Sequence, residues 1–285
     1  MSESGRSRSQ GWRHAKLDGH ANEDQFARDL LTDRNFLRKI ESSILKIIPK
    51  SEPKIIVDGS KHVPSIFGDM TTSKVDVSMT WLDGQKVNVS VKKSESGQVW
   101  LISVRRFLSA MEYYLEEKID PAVTAGISLF IGGNNLSDYE KLYEGALKSD
   151  SIKEPRIAIQ QRRQRRLVSA SIKSNHPSIW EITLDFFNSN VGIITELCFA
   201  KGLAASETEH ADIIVYNNVN DGENIFVIPE ILDTIKKEKE KSRIIPGPLN
   251  GGSTLYFPTG FLQMHHPQGD NQLQFHHQYK KISKL

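Results

Sequence analysis

The chain has 285 residues, 38% of them hydrophobic and 25% charged, with a formal net charge of +2. That balance is ordinary for a soluble protein, and the length buries a substantial core as one large domain or a domain with an appendage. A single cysteine, Cys198, excludes an internal disulfide framework and fits a reducing cytosol. No apolar run approaches a membrane span, and the polar stretch from Ser2 to His14 lacks the apolar segment of a secretory signal.

Residues 1–18, rich in Ser, Gly and Arg, are expected to be a disordered basic tail. A helix is predicted from an N-cap at Asn22 to about Ile48, with Phe26, Leu30, Leu31, Leu37, Ile40, Ile44 and Ile47 at helical spacing. Short extended pieces follow at Lys54–Val57 and Val63–Phe67. From Ser73 to Ser94 the pattern becomes a β-hairpin: Val75, Val77 and Met79 alternate with Asp76, Ser78 and Thr80, and Val87, Val89 and Val91 with Asn88, Ser90 and Lys92. Asp83-Gly84 supplies the turn, because glycine tolerates the positive φ that hairpin turns need. The apolar sets face a core, so Asp76, Ser90 and Lys92 emerge together on the polar face. A carboxylate is a hard ligand for Mg²⁺, and an ammonium beside it can position the attacking water or neutralise charge on a phosphorane-like transition state. The same pair also fits a solvated amphipathic face.

After Ser96-Gly97 a helix is predicted over Gln98–Lys118, closed by Pro121, and a buried strand over Gly126–Ile131. Helical patterning returns over Leu136–Lys148. Arg156–Lys173 carries Arg162, Arg163, Arg165 and Arg166, whose mutual repulsion is relieved either by solvent or by a DNA phosphate track. A long helix is predicted over Pro177–Ala200, then a second hairpin, Ala211–Tyr216 and Asn224–Ile228, around Asp221-Gly222, and a helix from Pro229 to Lys241. The tail reads as two strands joined by Pro267–Asn271. Gln272, Gln274, His276 and Gln278 line one face of its second strand, while Leu273, Phe275, His277 and Tyr279 line the other. Although four of the nine histidines lie here, His265 and His266 point to opposite faces and no cysteine or carboxylate completes a zinc site. A glutamine and histidine ridge suits base edges in a major groove, since Gln bonds adenine bidentately. A solvated polar face is the other reading.

The spacing of Asp76, thirteen residues, then Ser90-Val91-Lys92 resembles the core motif of the PD-(D/E)xK nuclease superfamily, in particular type II restriction endonucleases. Val75 stands where that motif commonly has Pro. Ser90 replaces the usual acid, as in some restriction enzymes that carry Ser, Asn or Gln there. The resemblance implies an α/β fold with an αβββαβ restriction-endonuclease-like core over residues 19–150 and an α+β C-terminal extension over 151–285 that recognises DNA. It implies a sequence-specific, Mg²⁺-dependent endonuclease of double-stranded DNA, a phosphodiester hydrolase of a restriction-modification system in a bacterial or archaeal cytoplasm, away from membranes, and a homodimer is the partner state that family members commonly use. Asp76 and Glu23 would hold the metal, Lys92 would orient water or stabilise charge, and Ser90 would hold a water of the metal or the backbone. Glu23 also fits an acid placed by the helix dipole. DNA contacts are expected from Gln98, Arg162, Arg163, Arg165, Arg166, Gln263, His265, Gln272, Gln274 and His276. The alternatives are a nucleic-acid-binding protein without catalysis and a repair or RNA nuclease of the same superfamily.

Overall fold

The structure is a computed structural model that describes residues 23–45, 49, 51–57, 61–153, 155–216, 224–248, 251–266 and 270–285. The expected tail over 1–18, the N-cap at Asn22, the helix end at Ile48 and the Asp221-Gly222 turn lie outside the described residues. In chain order the elements are α1 (23–32), α2 (Arg34–Ile44), β1 (Lys54–Val57), β2 (His62–Pro64), β3 (Met70–Thr72), β4 (Val77–Thr80), β5 (Lys86–Lys92) and β6 (Ser96–Ser103). Seven helices follow: α3 (Val104–Leu115), α4 (Pro121–Ile131), α5 (Glu140–Lys153), α6 (Pro155–Gln164), α7 (Ser169–Asn175), α8 (Pro177–Ser189) and α9 (Val191–Glu196). The chain ends with β7 (Ile213–Tyr216), β8 (Ile225–Val227), α10 (Ile228–Lys237), β9 (Ile245–Pro246), β10 (Thr254–Phe257), β11 (Gly260–His265), β12 (Gln272–Gln278) and α11 (Tyr279–Ile282). These form two compact units: the described residues up to Glu95 with Phe199–Ile231, and Ser96–Cys198 with Leu232–Leu285. Residues 96–150, expected to share one core with residues 19–95, fall in the second unit.

In the first unit a five-stranded sheet runs in the order β1-β4-β5-β7-β8, antiparallel except that β5 and β7 are parallel. The hairpin forms as its alternation requires, with Val77 opposite Val89 and Met79 opposite Val87. Its turn uses Gly84 at φ +86°, while Trp81 N donates to Gln85 O at 2.9 Å and Leu82 stands at the exposed tip. Phe26 and Leu30 of α1 and Leu37 and Ile40 of α2 pack with Val77, Met79, Val87, Val89, Ile213 and Val215, each such burial contributing about 1.5–3 kcal/mol. The first helix is not continuous: Asp33 interrupts it and caps α2 by accepting from Asn35 N and Phe36 N.

The polar face of this hairpin is buried, although the alternation leads one to expect solvent there. Ser78, Asn88 and Ser90 are 5%, 3% and 1% exposed. Asn88 Nδ2 donates to Thr208 O and His210 O at 3.0 and 2.8 Å, Asn88 N donates to Asp212 Oδ2 at 2.7 Å, and Ser78 Oγ donates to Asn88 Oδ1 at 2.8 Å. Ser78 and Asn88 are thus paired, as burial demands.

The second unit holds an antiparallel sheet ordered β6-β12-β11-β10-β9. Two predicted elements exchange type here. Gln98 to Ser103 is strand rather than helix, because Trp100 and Ile102 pair with Phe275 and Leu273 of β12 and bury their side chains; the helix starts only where Ser103 caps it by accepting from Arg106 N. Gly126–Ile131 is helix rather than strand. Pro121 occupies its first turn with Asp120 accepting from Ala122 N, and the run is buried from Ala125 to Ile131, so its lack of periodicity reflects a helix enclosed on all sides. The helix expected over 177–200 breaks at Asn190. One sheet face carries the core: Trp100 stacks on Phe275 at 5.5 Å, Phe107 stacks on Phe187 at 6.2 Å, and Phe187 meets Phe257 edge-on at 6.0 Å.

Candidate active site and polar sheet face

Asp76 lies one residue before β4, where its N donates to Val89 O at 2.9 Å and extends the ladder. The β4–β5 register then sets Asp76 opposite Ser90. Asp76 Oδ2 accepts from Val91 N at 2.7 Å and from Ser90 Oγ at 3.3 Å, and Ser90 Oγ accepts from Lys92 Nζ at 2.7 Å. Both bonds to the carboxylate fall on Oδ2. Asp76, Ser90 and Lys92 are therefore one hydrogen-bonded group, two adjacent backbones wide.

Electrostatics make this group costly. Burial raises the Asp76 carboxyl above the usual range, and the Lys92 ammonium, the Val91 N–H, Ser90 and Lys74 offset that only in part. Burial lowers the Lys92 amine, while the charges of Asp76 and then Glu23 pull it back up. Glu23 on α1 thus lies within electrostatic reach of Lys92. Lys74 is a charge near Asp76 that spacing did not single out; Gly202, at φ +55°, lies against its stem, where an added Cβ would be 3.1 Å from Lys74 Cε. Its signal in the sequence is its place two residues before Asp76, on the same face of an extended chain.

Among the described residues, no cluster of three or more His, Cys, Asp or Glu side chains could hold a metal ion. The donor chemistry nonetheless suits a hard cation. Mg²⁺ takes one or two carboxylates and keeps water and substrate phosphate for the rest, and Asp76 is a half-buried carboxylate whose desolvation outweighs its neighbours' compensation.

The expected DNA contacts all lie in the second unit. Burial alternates along β12 as its pattern predicts, with Gln272, Gln274, His276 and Gln278 on the more open face. A bulge decides what joins them: Phe275 pairs with Trp100 but His276 pairs with Gln98, so Val99 is an extra residue. That insertion turns Gln98 onto the polar face, where its Oε1 accepts from Gln274 Nε2 at 2.8 Å. Gln263 Nε2 donates to Gln274 Oε1 at 3.0 Å and lies 3.3 Å from His276 Nε2. The His276 ring stacks on Phe261 at 4.5 Å, 7° from parallel. His265 pairs with Gln272 one step along the same face.

The arginine run divides. Arg162, Arg163 and Arg165 are exposed, and Arg165 reaches Glu140 at 3.8 Å. Arg166 is not: it is 4% exposed, donates to Phe130 O at 3.3 Å and to Gln164 Oε1 at 3.0 Å, and burial brings its pKa down to about 10. The expectation of a DNA contact at Arg166 is thereby corrected, since its guanidinium serves the interior.

Compared with known proteins, the chain matches no family model and no curated protein. Among solved structures it is similar to restriction endonuclease MspI in complex with its cognate DNA, at TM-score 0.41 and 12% sequence identity over 89% of this chain and 83% of that one. No helix among the described residues is long and apolar enough to cross a membrane.

Proposed function

We propose that the chain is a Mg²⁺-dependent endonuclease of double-stranded DNA, of the type II restriction kind, whose catalytic hairpin lies in the β1-β4-β5-β7-β8 sheet packed by α1 and α2. The observation that carries the reading is the Asp76–Ser90–Lys92 group, held together although burial works against both of its charges. A pair that served stability alone would give up little if replaced by apolar residues, whereas strained ionisable pairs are characteristic of reaction sites.

Asp76, with Glu23, would hold the cation. When bound, Mg²⁺ supplies charge stabilisation at the scissile phosphate and acidifies water. Lys92 has a lowered proton affinity and three donors. One is spent on Ser90, leaving the others to orient water or to meet charge that develops on the phosphoryl oxygens. Ser90 relays between the two, accepting from Lys92 and donating to Asp76, which fixes the lysine rotamer. The polar face of the β6-β12-β11-β10-β9 sheet would read base edges, while Arg162, Arg163 and Arg165 would track phosphates.

The test is incubation of the purified chain with methyl-free plasmid DNA and Mg²⁺. Discrete fragments are expected, and Asp76→Ala or Lys92→Ala should each lower cleavage by about 10²-fold or more while DNA binding persists. A smear would mean cleavage without sequence choice. A mobility shift without cleavage would leave the second unit as a binder and overturn the enzymatic reading, as would near-normal cleavage by either variant.

A further inference from the structure

The polar sheet face is a chain of amides with a direction. Gln263 Nε2 is a donor, so the His276 Nε2 that it faces at 3.3 Å must be an acceptor, which requires a neutral ring with its proton on Nδ1. The same Gln263 amide donates to Gln274 Oε1, and Gln274 Nε2 donates to Gln98 Oε1. The row is thereby polarised. The Gln98 amide NH₂ is left over as donor at the β6 end, and Gln263 Oε1 is left over as acceptor at the β11 end.

Resting on the reading that this face meets DNA, we propose that His276 is a specificity-determining residue that sets the donor and acceptor order of the Gln98–Gln274–Gln263 row and so selects the base edges it takes. A protonated His276 donates from Nε2, and Gln263 must then turn its oxygen towards it. That oxygen meets Gln274 Oε1 unless Gln274 turns as well, and Gln98 must follow for the same reason. One proton thus reverses three amides, exchanging a free donor for a free acceptor at the Gln98 end. The first state suits the O6 and N7 acceptors of guanine there, the second the amino group of cytosine or adenine.

The surroundings permit the switch. Phe261 fixes the ring plane by stacking. Of the titratable side chains on neighbouring elements, His265 lies two positions beyond Gln263 on β11, Tyr256 lies beyond Phe261 on β10 at 6.4 Å between rings, and Lys281 of α11 sits 4.8 Å from the Tyr256 ring. Gln98 faces His276 from β6. Burial lowers the basicity of His276 and no charged side chain contributes, so the neutral ring is the state at neutral pH.

The experiment uses the full ¹⁵N-labelled chain in two arms. In the first, without DNA, the imidazole and side-chain amide resonances are followed from pH 8.5 to 5. The expected result is a proton on Nδ1 of His276 at high pH, with the Gln98, Gln263 and Gln274 amides moving together at its midpoint and none moving so in His276→Phe. Separate midpoints, immobile amides or a proton on Nε2 at high pH would overturn the proposal. In the second, the Asp76→Ala chain is bound to duplexes that differ by single base pairs at pH 8 and pH 5.5. Preference at one base pair should change about tenfold or more with pH in that background, and should not change when His276→Phe is added. Coupled amides with unchanged preference would overturn the role in specificity. Failure to bind any duplex, with the amides still coupled, would remove the DNA reading and this assignment of specificity with it.

Discussion

At the scale of residues, Asp76 and Lys92 oppose folding. A carboxyl with a raised folded pKa contributes stability that is present below its unfolded value of 3.8 and is lost as pH rises through the folded value. In EDTA, Asp76→Asn should therefore become more stable relative to the parent as pH increases from 4 towards 8, measured by thermal unfolding at each pH. A constant difference would mean that Asp76 is not held against its ionisation. Glu23 enters through its charge at Lys92, and in the proposed site, with Ser90 in place of an acid, it would be the second anion. Glu23→Gln should raise the Mg²⁺ concentration at half-maximal cleavage several-fold without altering cleavage at saturating Mg²⁺; an unchanged titration would confine Glu23 to α1. The grouping of Asp76, Ser90 and Lys92 was legible because strand periodicity and a glycine turn determine it locally. The interior role of Arg166 was not, since a dense basic run does not reveal which guanidinium turns inward.

At the scale of elements, the β11–β12 hairpin is anchored at its turn end. Asn271 Nδ2 donates to Ile131 O at the end of α4 and to Gln164 O at the end of α6, at 2.8 and 2.9 Å, while Asp270 Oδ1 and Oδ2 accept from the backbone and side chain of Asn134. Gly132, at φ +81°, permits this approach: a Cβ there would lie 2.0 Å from Arg165 O and 2.7 Å from Asn271 Nδ2. Asn271→Ala strands two helix-end carbonyls and should cost about 2 kcal/mol or more by denaturant unfolding, and Asn271→Asp, which cannot donate, should cost at least as much. A loss under about 0.5 kcal/mol would show that water replaces the side chain. The helix over 121–131 and the strand over 96–103 were misread for related reasons. A continuous apolar run has no period, and Val99, Ile102 and Arg106 mimic a helical face across a segment whose bulge breaks the strand alternation. Partners for β6 come from residues 272–278, a distance in sequence that local patterning does not sense.

At the scale of the whole molecule, a net charge of +2 gives little long-range attraction to a polyanion, so the proposed phosphate binding would have to arise from local clusters. Arg162 and Arg163 end α6, and Arg165 follows in the left-handed region at φ +49°, with Arg165 N donating to Arg162 O at 3.2 Å. Glycine is the usual occupant of that position, and a longer side chain costs about 1 kcal/mol there. For the Asp76→Ala chain binding a duplex between 50 and 200 mM salt, Arg162→Ala and Arg163→Ala should each lower the slope of log affinity against log salt by about 0.9, the effect of one lost phosphate contact. Arg165→Gly should do the same while raising stability by up to about 1 kcal/mol. Arg166→Ala provides the internal contrast: it should leave the slope unchanged and destabilise the fold by about 1–3 kcal/mol, because it strips the donor from Phe130 O. Equal slopes for the parent and all four variants would remove the phosphate role of this run, and a slope change confined to Arg166→Ala would mean that the run acts through the fold instead.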